Sequence, residues 1–575
     1  MAGSPRPSRR WFLRSLGAAA SSVGLAGCSG LDPLDDAGSS TPSPTLPTDR
    51  PGRTATRDVP TDFAPEFDAT VDVTDYGADP TGGSPIDDAL ARAIEPGTLV
   101  RFPAGTYQLG RTIELTDDRV GLVGEGARLV LPEGHSGRFL FARGAAGVLF
   151  RGFTVDMRGD RTGHAQLDSS GFHVEDVRYL GRGGLTGYAF SVAVTDPDGR
   201  GVLRRVRVPR GGYIDRYDDA AGEAGNGRIG VWAGIDHVGT LRVENCDFRE
   251  FGNNGLYTSR CPGNVQVVDS YFENNNVCSI RISGKGSYAE NCEVLVDHSR
   301  YEPRLTSTES GFNTRGIIVE QGKGMTADEF PAKPAGAEIR NCRVRALQVH
   351  GEGNIQSVVE QGPQARTLTI RDTEIRVDVD GVPAVRRGRP GAIRWRTDRR
   401  TVPGPHWTRL ENVTITGSAT GGSAVFLDRA SGSEIRDCTI EQPGEDRDGI
   451  VVRNSGDVLL TGGRIRTGAF PLALRVDPTS VRGRCILSVD EVPTLETVGV
   501  TDARVGIISP LSGTGGGSRS GGSGSGGSGS GSGSPRCVWA DGAFTPTEGD
   551  GVDVGIVGIS GTGGGLQLRG RIRVE

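Results

Sequence analysis

Lysine is almost absent from this chain. Of the 65 basic residues among 575, only Lys285, Lys323 and Lys333 are lysines, and the rest are arginines. Aromatic residues make up only 6%, and the formal net charge is −6. That balance supplies none of the basic excess that nucleic acid attracts, so no nucleic-acid partner is expected. Long apolar runs are missing too. Apart from a weakly apolar stretch near the N-terminus, nothing could cross a bilayer. The cysteines and histidines nowhere show the spacing of a zinc site. What the chain has in quantity is glycine, 90 residues of it, and a pattern that recurs through most of its length.

The pattern is clearest from Gly255 to Val294. Two alternating apolar strands, a sharp corner, a third short strand and a looser loop follow one another, and the cycle restarts. Asn245, Asp269, Asn291, Asn341, Asp372, Asn412 and Asp437 all occupy the frame apolar-x-(Asn/Asp)-x-x-apolar, with Gly462 in the same frame at the end. Several spacings fall in the low to mid twenties of residues, and the longer ones contain inserted loops. A repeat of that size built from short strands indicates a solenoid, which grows by adding rungs. Asn, Asp and Gly tolerate the left-handed bend of a two-residue corner, which explains their monopoly there.

This order of strands and corner resembles the right-handed parallel β-helix of the pectate lyase superfamily, whose second turn is such a corner with stacked Asn residues. The ordered set Asp75-Tyr76-Gly77-Ala78-Asp79, Phe102-Pro103-Ala104-Gly105-Thr106-Tyr107 and Gly124-Glu125-Gly126-Ala127 resembles the N-terminal entry of that superfamily, where a helix caps the open end. Ile86 to Ala93 is the expected capping helix, with Asp87 and Asp88 in its first turn. A cap is needed because a bare solenoid end exposes core and unpaired strand edges. The expected fold is therefore all-β, a right-handed parallel β-helix over residues 71–511. A Gly/Ser linker follows over 512–534 and a C-terminal β segment over 535–575.

Ahead of the helix, Ser8-Arg9-Arg10-Trp11-Phe12-Leu13 resembles a twin-arginine export motif, and Leu25-Ala26-Gly27-Cys28 resembles a lipobox. Residues 1–28 then read as a signal, with Cys28 as the lipidated residue. Residues 29–70, rich in Pro, Ser, Thr and Asp, read as a disordered tether. These resemblances imply a monomer held by a lipid anchor at the outer face of the cytoplasmic membrane. Cys246, Cys292, Cys342 and Cys438 each directly follow a corner residue, in register with core positions, and are expected as buried thiols. Cys485 with Cys537 is the pair considered for a disulfide.

In the superfamily the strand before the first turn carries the substrate groove on its outer face. Counting back from the corners assigns that strand to Gly230–Gly234, Gly255–Ser259, Ser279–Ser283, Gly316–Glu320, Gln356–Glu360, Ala392–Arg396, Ala424–Asp428 and Gly449–Arg453. Alternation then yields two outward columns. One contains Trp232, Tyr257, Arg281, Ile318, Val358, Arg394, Phe426 and Val451. The other contains Gly234, Ser259, Ser283, Glu320, Glu360, Arg396, Asp428 and Arg453. Aromatic faces stack on sugar rings and arginine forks pair with uronate carboxylates, so Trp232, Tyr257 and Arg453 are candidate polysaccharide contacts.

The repeated Val-Glu-Gln-Gly, at Val319–Gly322 and Val359–Gly362, makes Glu320 and Glu360 equivalent neighbours. Two close carboxylates could form an acid/base pair or bind calcium, although no cofactor is required. The polygalacturonase-like motifs N-x-D, D-D, G-H-G and R-x-K are missing from these strands. A polysaccharide lyase resemblance implies Arg281 or Lys285 as base, with Arg394 and Arg396 neutralising the uronate. A hydrolase would instead use Glu320 with Glu360, or Glu360 with Asp428. Glu360, Arg396, Asp428 and Arg453, which alternate in sign along one column, also read as a solvated charge ladder on a binding or structural protein.

Overall fold

The computed structural model describes residues 67–214, 227–303, 314–320, 333–350, 355–391 and 403–475. It also describes the strands Thr479–Val481, Arg484–Ile486, Leu495–Val498, Arg504–Ile508 and Asp553–Ile556. Cys28 and the export motif, the residues before 67, residues 215–226, Arg394, Arg396, residues 512–534 and the side chains of Cys485 and Cys537 lie outside the described residues.

Each turn of chain contributes three strands, and each strand pairs in parallel with its counterpart one turn further on. In one turn these are Asn254–Tyr257, Asn264–Val268 and Tyr271–Glu273, which pair with Cys278–Ile282, Tyr288–Glu290 and Glu293–Asp297 of the next. The first strand of every turn enters a 15-stranded sheet, and the second and third build a 26-stranded one. The only antiparallel pair among the described strands is the short hairpin Thr479–Val481 with Arg484–Ile486. The chain is a right-handed parallel β-helix. Alternation sends Ile280, Ile282, Ile317 and Val319 into the core, each at most 2% exposed. The helix Asp87–Ala93 buries Ala89, Leu90 and Ala93, and the Asp87 carboxylate accepts the backbone N–H groups of Gly110 and Arg111.

All eight corners are left-handed, with φ between 50° and 54° at the seven Asn and Asp residues and 62° at Gly462. At each of the seven Asn and Asp corners the backbone N–H donates to the carbonyl just before the next corner, as from Asn245 to Val268 and from Asp269 to Glu290. The side chains stack as well. Asn291 Nδ2 donates to Asp269 Oδ1 at 3.0 Å, Asn341 donates to Asn291, and Asn412 Nδ2 donates to Asp372 Oδ1 at 2.8 Å.

The column extends two rungs further towards the N-terminus than the frame suggested. Asp176 fits the frame, and Arg205 adopts φ 51° despite its bulk. Its guanidinium lies along the stack, with Nε donating to Asp176 Oδ1 at 2.6 Å, which stabilises the bend. Replacing Asn291 by leucine breaks the stack on both sides and places a branched side chain in a left-handed bend. A loss of about 1–3 kcal/mol is expected in urea denaturation, and an unchanged midpoint would contradict this account.

Cys246, Cys292, Cys342 and Cys438 are buried thiols at the position after the corner, as expected. Burial pushes the Cys246 thiol up to about 12. The Cys292 thiol is likewise raised, by burial first and by its contact with Cys342.

Two histidines are also buried. Burial pushes the imidazoles of His237 and His298 down to about 4. The unfolded chain takes up these protons near pH 6.5, so between the two values it binds more protons than the folded state. Stability is therefore complete above pH 6.5 and falls as the pH drops towards 4, by on the order of 3 kcal/mol per histidine. Glu250 acts oppositely. Burial holds its carboxyl up to about 7, which favours the folded state at low pH and is lost as the pH rises from about 4.5 to 7. The His237→Phe variant is expected to show a flatter loss of stability on acidification than the parent. An identical slope would refute the assignment.

Candidate functional site

The outer face of the 15-stranded sheet brings most of the candidate residues together. Its paired column runs Phe141, Gln166, Ser191, Trp232, Tyr257, Arg281, Ile318, Glu360, Arg386, Phe426, Val451. Aromatic residues lie at one end, and arginines and carboxylates follow.

Two rungs differ from the expected register. Glu360 pairs with Ile318, in the position assigned to Val358, so the two Val-Glu-Gln-Gly segments are not equivalent. Glu320 instead lies beside Gly362, where a Cβ would come within 2.9 Å of Glu320 Cγ. The next rung is Val385–Arg387, which puts Arg386 where Arg394 was expected. The strand thus lies ahead of the stretch Ala392–Arg396 that was assigned to this rung. Asp428 and Arg453 are paired on adjacent strands, as expected, with their charged atoms 4.0 Å apart.

A second correction concerns burial. The outward charged residues were expected in solvent, yet Arg281, Glu320, Glu360 and Asp428 are only 4–6% exposed. Arg281 donates through Nε at 3.0 Å and Nη2 at 2.6 Å to Glu320 Oε2. Burial alone would lower its pKa, but the Glu320 carboxylate more than offsets that, so the guanidinium holds its proton more tightly than usual. Glu360 is held by Arg315, Nε to Oε2 at 2.6 Å, an ion pair whose angle departs from a hydrogen bond. The two carboxylates thus have separate arginine partners rather than forming a shared acid/base pair. Lys285 lies past its strand in an exposed turn, its backbone N–H donating to the Pro334 carbonyl. Among the described residues no three Asp, Glu, His or Cys converge to hold a metal ion.

The aromatic end is the more open part. Half-buried Trp232 meets Tyr257 edge-on, with ring centroids 4.8 Å apart and planes at 87°. Tyr188 lies 6.3 Å from Trp232, and His164 packs edge-on to Tyr188 at 5.9 Å. Burial pushes the His164 imidazole down to about 4, so it is neutral near pH 7. Arg281 covers one side of Tyr257, its guanidinium carbon 4.4 Å from the ring centroid. Arg260 covers the rest, 5.0 Å from Tyr257 and 5.8 Å from Trp232.

Unlike Arg281, Arg260 has no carboxylate partner among the described residues, and its Nε finds no acceptor there. The buried Ser259 hydroxyl beside it in sequence is also without a partner among the described residues. Sequence reasoning missed Arg260 because it lies past the end of its strand, where alternation no longer predicts direction. It missed His164 and Tyr188 because the aligned strands began at Gly230.

No family model matches this chain, and no curated protein matches it. Several solved structures are similar. ORF18 of Geobacillus virus E2 shares 12% identity over 68% of this chain and 61% of its own, with a TM-score of 0.33, so the match spans less than two thirds of that protein. The A-module of the mannuronan C-5 epimerase AlgE6 of Azotobacter vinelandii shares 14% over 68% of this chain and 98% of its own, with a TM-score of 0.39. PfbA, a surface adhesin of Streptococcus pneumoniae, shares 12% over 76% of this chain and 92% of its own, with a TM-score of 0.40. At such values nothing about chemistry carries over, and the fold rests on the strand register itself.

Proposed function

We propose that this protein binds an anionic polysaccharide along the outer face of the 15-stranded sheet, at the cell surface. The observation that carries the reading is Arg260, a cation stacked against the Trp232–Tyr257 wall and without a carboxylate partner among the described residues. A sugar ring packs on the half-buried indole, and a carboxylate on that sugar pairs with the guanidinium. Lipidation at Cys28 would hold the solenoid at the outer face of the membrane. Fractionation of a Cys28→Ser variant tests that part separately.

Binding is favoured over catalysis for a specific reason. Elimination on a uronate needs a base that gives up its proton near neutrality. Arg281, paired with Glu320, holds its proton more tightly than usual, and Lys285 is in an exposed turn. Hydrolysis needs a carboxylate free to receive or supply a proton, whereas Glu320 and Glu360 are each in a buried ion pair.

The test is calorimetric titration with uronate-containing, sulfated and neutral polysaccharides, while following unsaturated-uronate absorbance and reducing ends. The expected result is binding to a charged polymer without product. Trp232→Ala and Arg260→Ala are each expected to weaken it roughly tenfold or more, in line with the loss of about 1–2 kcal/mol of stacking or ion pairing. Binding to none of the charged polymers would overturn the reading. Accumulation of unsaturated uronates would restore elimination.

A further inference from the structure

Among the described residues three arginines are completely buried: Arg228, Arg387 and Arg447. Burying a guanidinium is costly unless its N–H groups are satisfied. The edge that decides this is the one formed by Nε and Nη2, which takes up two-oxygen acceptors side-on. In Arg228 that edge ends on the carbonyls of Tyr188, at 3.2 Å, and Gly163, at 2.8 Å. In Arg447 both nitrogens donate to Gln442 Oε1, at 3.0 and 2.9 Å. In Arg281, nearly buried, both donate to Glu320. Arg387 is the exception. Its Nη1 donates to the carbonyls of Gly362, at 2.6 Å, and Gln361, at 3.3 Å, while Nε and Nη2 have no acceptor among the described residues.

The location explains why no side chain fills that edge. Arg387 stands between Gln361 and Leu427 in a column that also contains Val319, so it points into the core. The Gln361 amide is already engaged with the carbonyls of Arg366 and Trp407 and with the Thr408 hydroxyl. Glu360 and Asp428 are each one residue along from a core position, so they lie on the opposite face of the sheet. There, Glu360 pairs with Arg315 and Asp428 with Arg453.

We propose that the Nε–Nη2 edge of Arg387 binds a small monovalent anion, chloride in the first instance, inside the β-helix. The anion accepts both N–H groups and neutralises a charge that the surrounding apolar rungs cannot. Burial also pushes the Arg387 guanidinium down to about 9, with Asp428 and Glu360 only partly opposing it. The site is structural and independent of the polysaccharide face.

The experiment compares thermal unfolding in sodium chloride and sodium gluconate at equal ionic strength, for the parent and for Arg387→Gln. In the parent the melting temperature is expected to rise by several degrees with chloride and then saturate, whereas the variant shows no difference between the salts. Equal responses in the two proteins, or no chloride response in the parent, would overturn the proposal. Crystals of the parent soaked in bromide give a second readout that does not depend on the variant folding. An anomalous peak in contact with Nε and Nη2 supports the site, and a water molecule or the Asp428 carboxylate at that edge overturns it.

Discussion

Replacing Arg228 by alanine is expected to cost about 4 kcal/mol or more in urea denaturation, the largest effect of any single side chain considered. Its guanidinium supplies donors to three carbonyls, those of Tyr188, Gly211 and Gly163, and lies over the Phe251 ring at 5.9 Å. Without it, three buried acceptors lose their partner, at about 1–3 kcal/mol each, and a cavity opens beside Met157. Removing the buried charge recovers part of that loss, which is why the estimate is below the simple sum. Lysine cannot rescue the position, because one ammonium cannot serve three carbonyls fixed around a planar fork. Gly183→Ala provides a check from the other side. A Cβ at Gly183 would collide with Arg228 Nη1 and the Gly211 carbonyl, so it should reproduce much of the loss. Denaturation within 1 kcal/mol of the parent in both variants would mean that Arg228 is not the keystone of these rungs.

The second large effect is expected at Glu320. Glu320→Ala leaves Arg281, 4% exposed, with an uncompensated charge, and the cost of that is about 3–5 kcal/mol. The mutation also loosens the stack of Arg281 on Tyr257, so affinity for a charged polysaccharide should fall although Glu320 itself need not touch it. Replacing both partners, Arg281→Met with Glu320→Leu, should restore most of the stability without restoring affinity. The double-mutant cycle gives the coupling directly. A coupling energy below about 0.5 kcal/mol would identify the pair as solvated.

The fold was legible because one conformational requirement selects residue types so narrowly. Only Asn, Asp and Gly accept a φ near 50° at low cost, so Asn245 through Gly462 could be read as corners directly from the chain. The same rule hid Arg205, which takes that bend at a cost offset by Asp176. The groove register was legible from Trp232 to Ile318, even across the long stretch between Asp297 and Arg315, and again at Phe426 and Asp428. It failed at Glu360 and at Arg394, where a repeated tetrapeptide and a long insertion each gave a plausible but wrong frame. Burial was the deeper difficulty. Alternation says which way a side chain points, but it does not say that an outward arginine will meet a glutamate of the next rung and be closed off with it. Nor does any pattern announce an arginine pointing inward, as at positions 228, 387 and 447.

The corner stack also acts as a ruler. Insertions enter this chain at the turns leading into and out of the 15-stranded sheet, while every corner from Asn245 to Gly462 keeps the same bend and those from Asn245 to Asp437 each bond to the next. An inserted segment can therefore be of any length without shifting the strands that follow, because the count restarts at each corner. Surface loops around the outer face of the 15-stranded sheet are free to diversify, and whole cycles can be gained or lost between corners. The length of that face and the shape of its walls are in this way inherited separately.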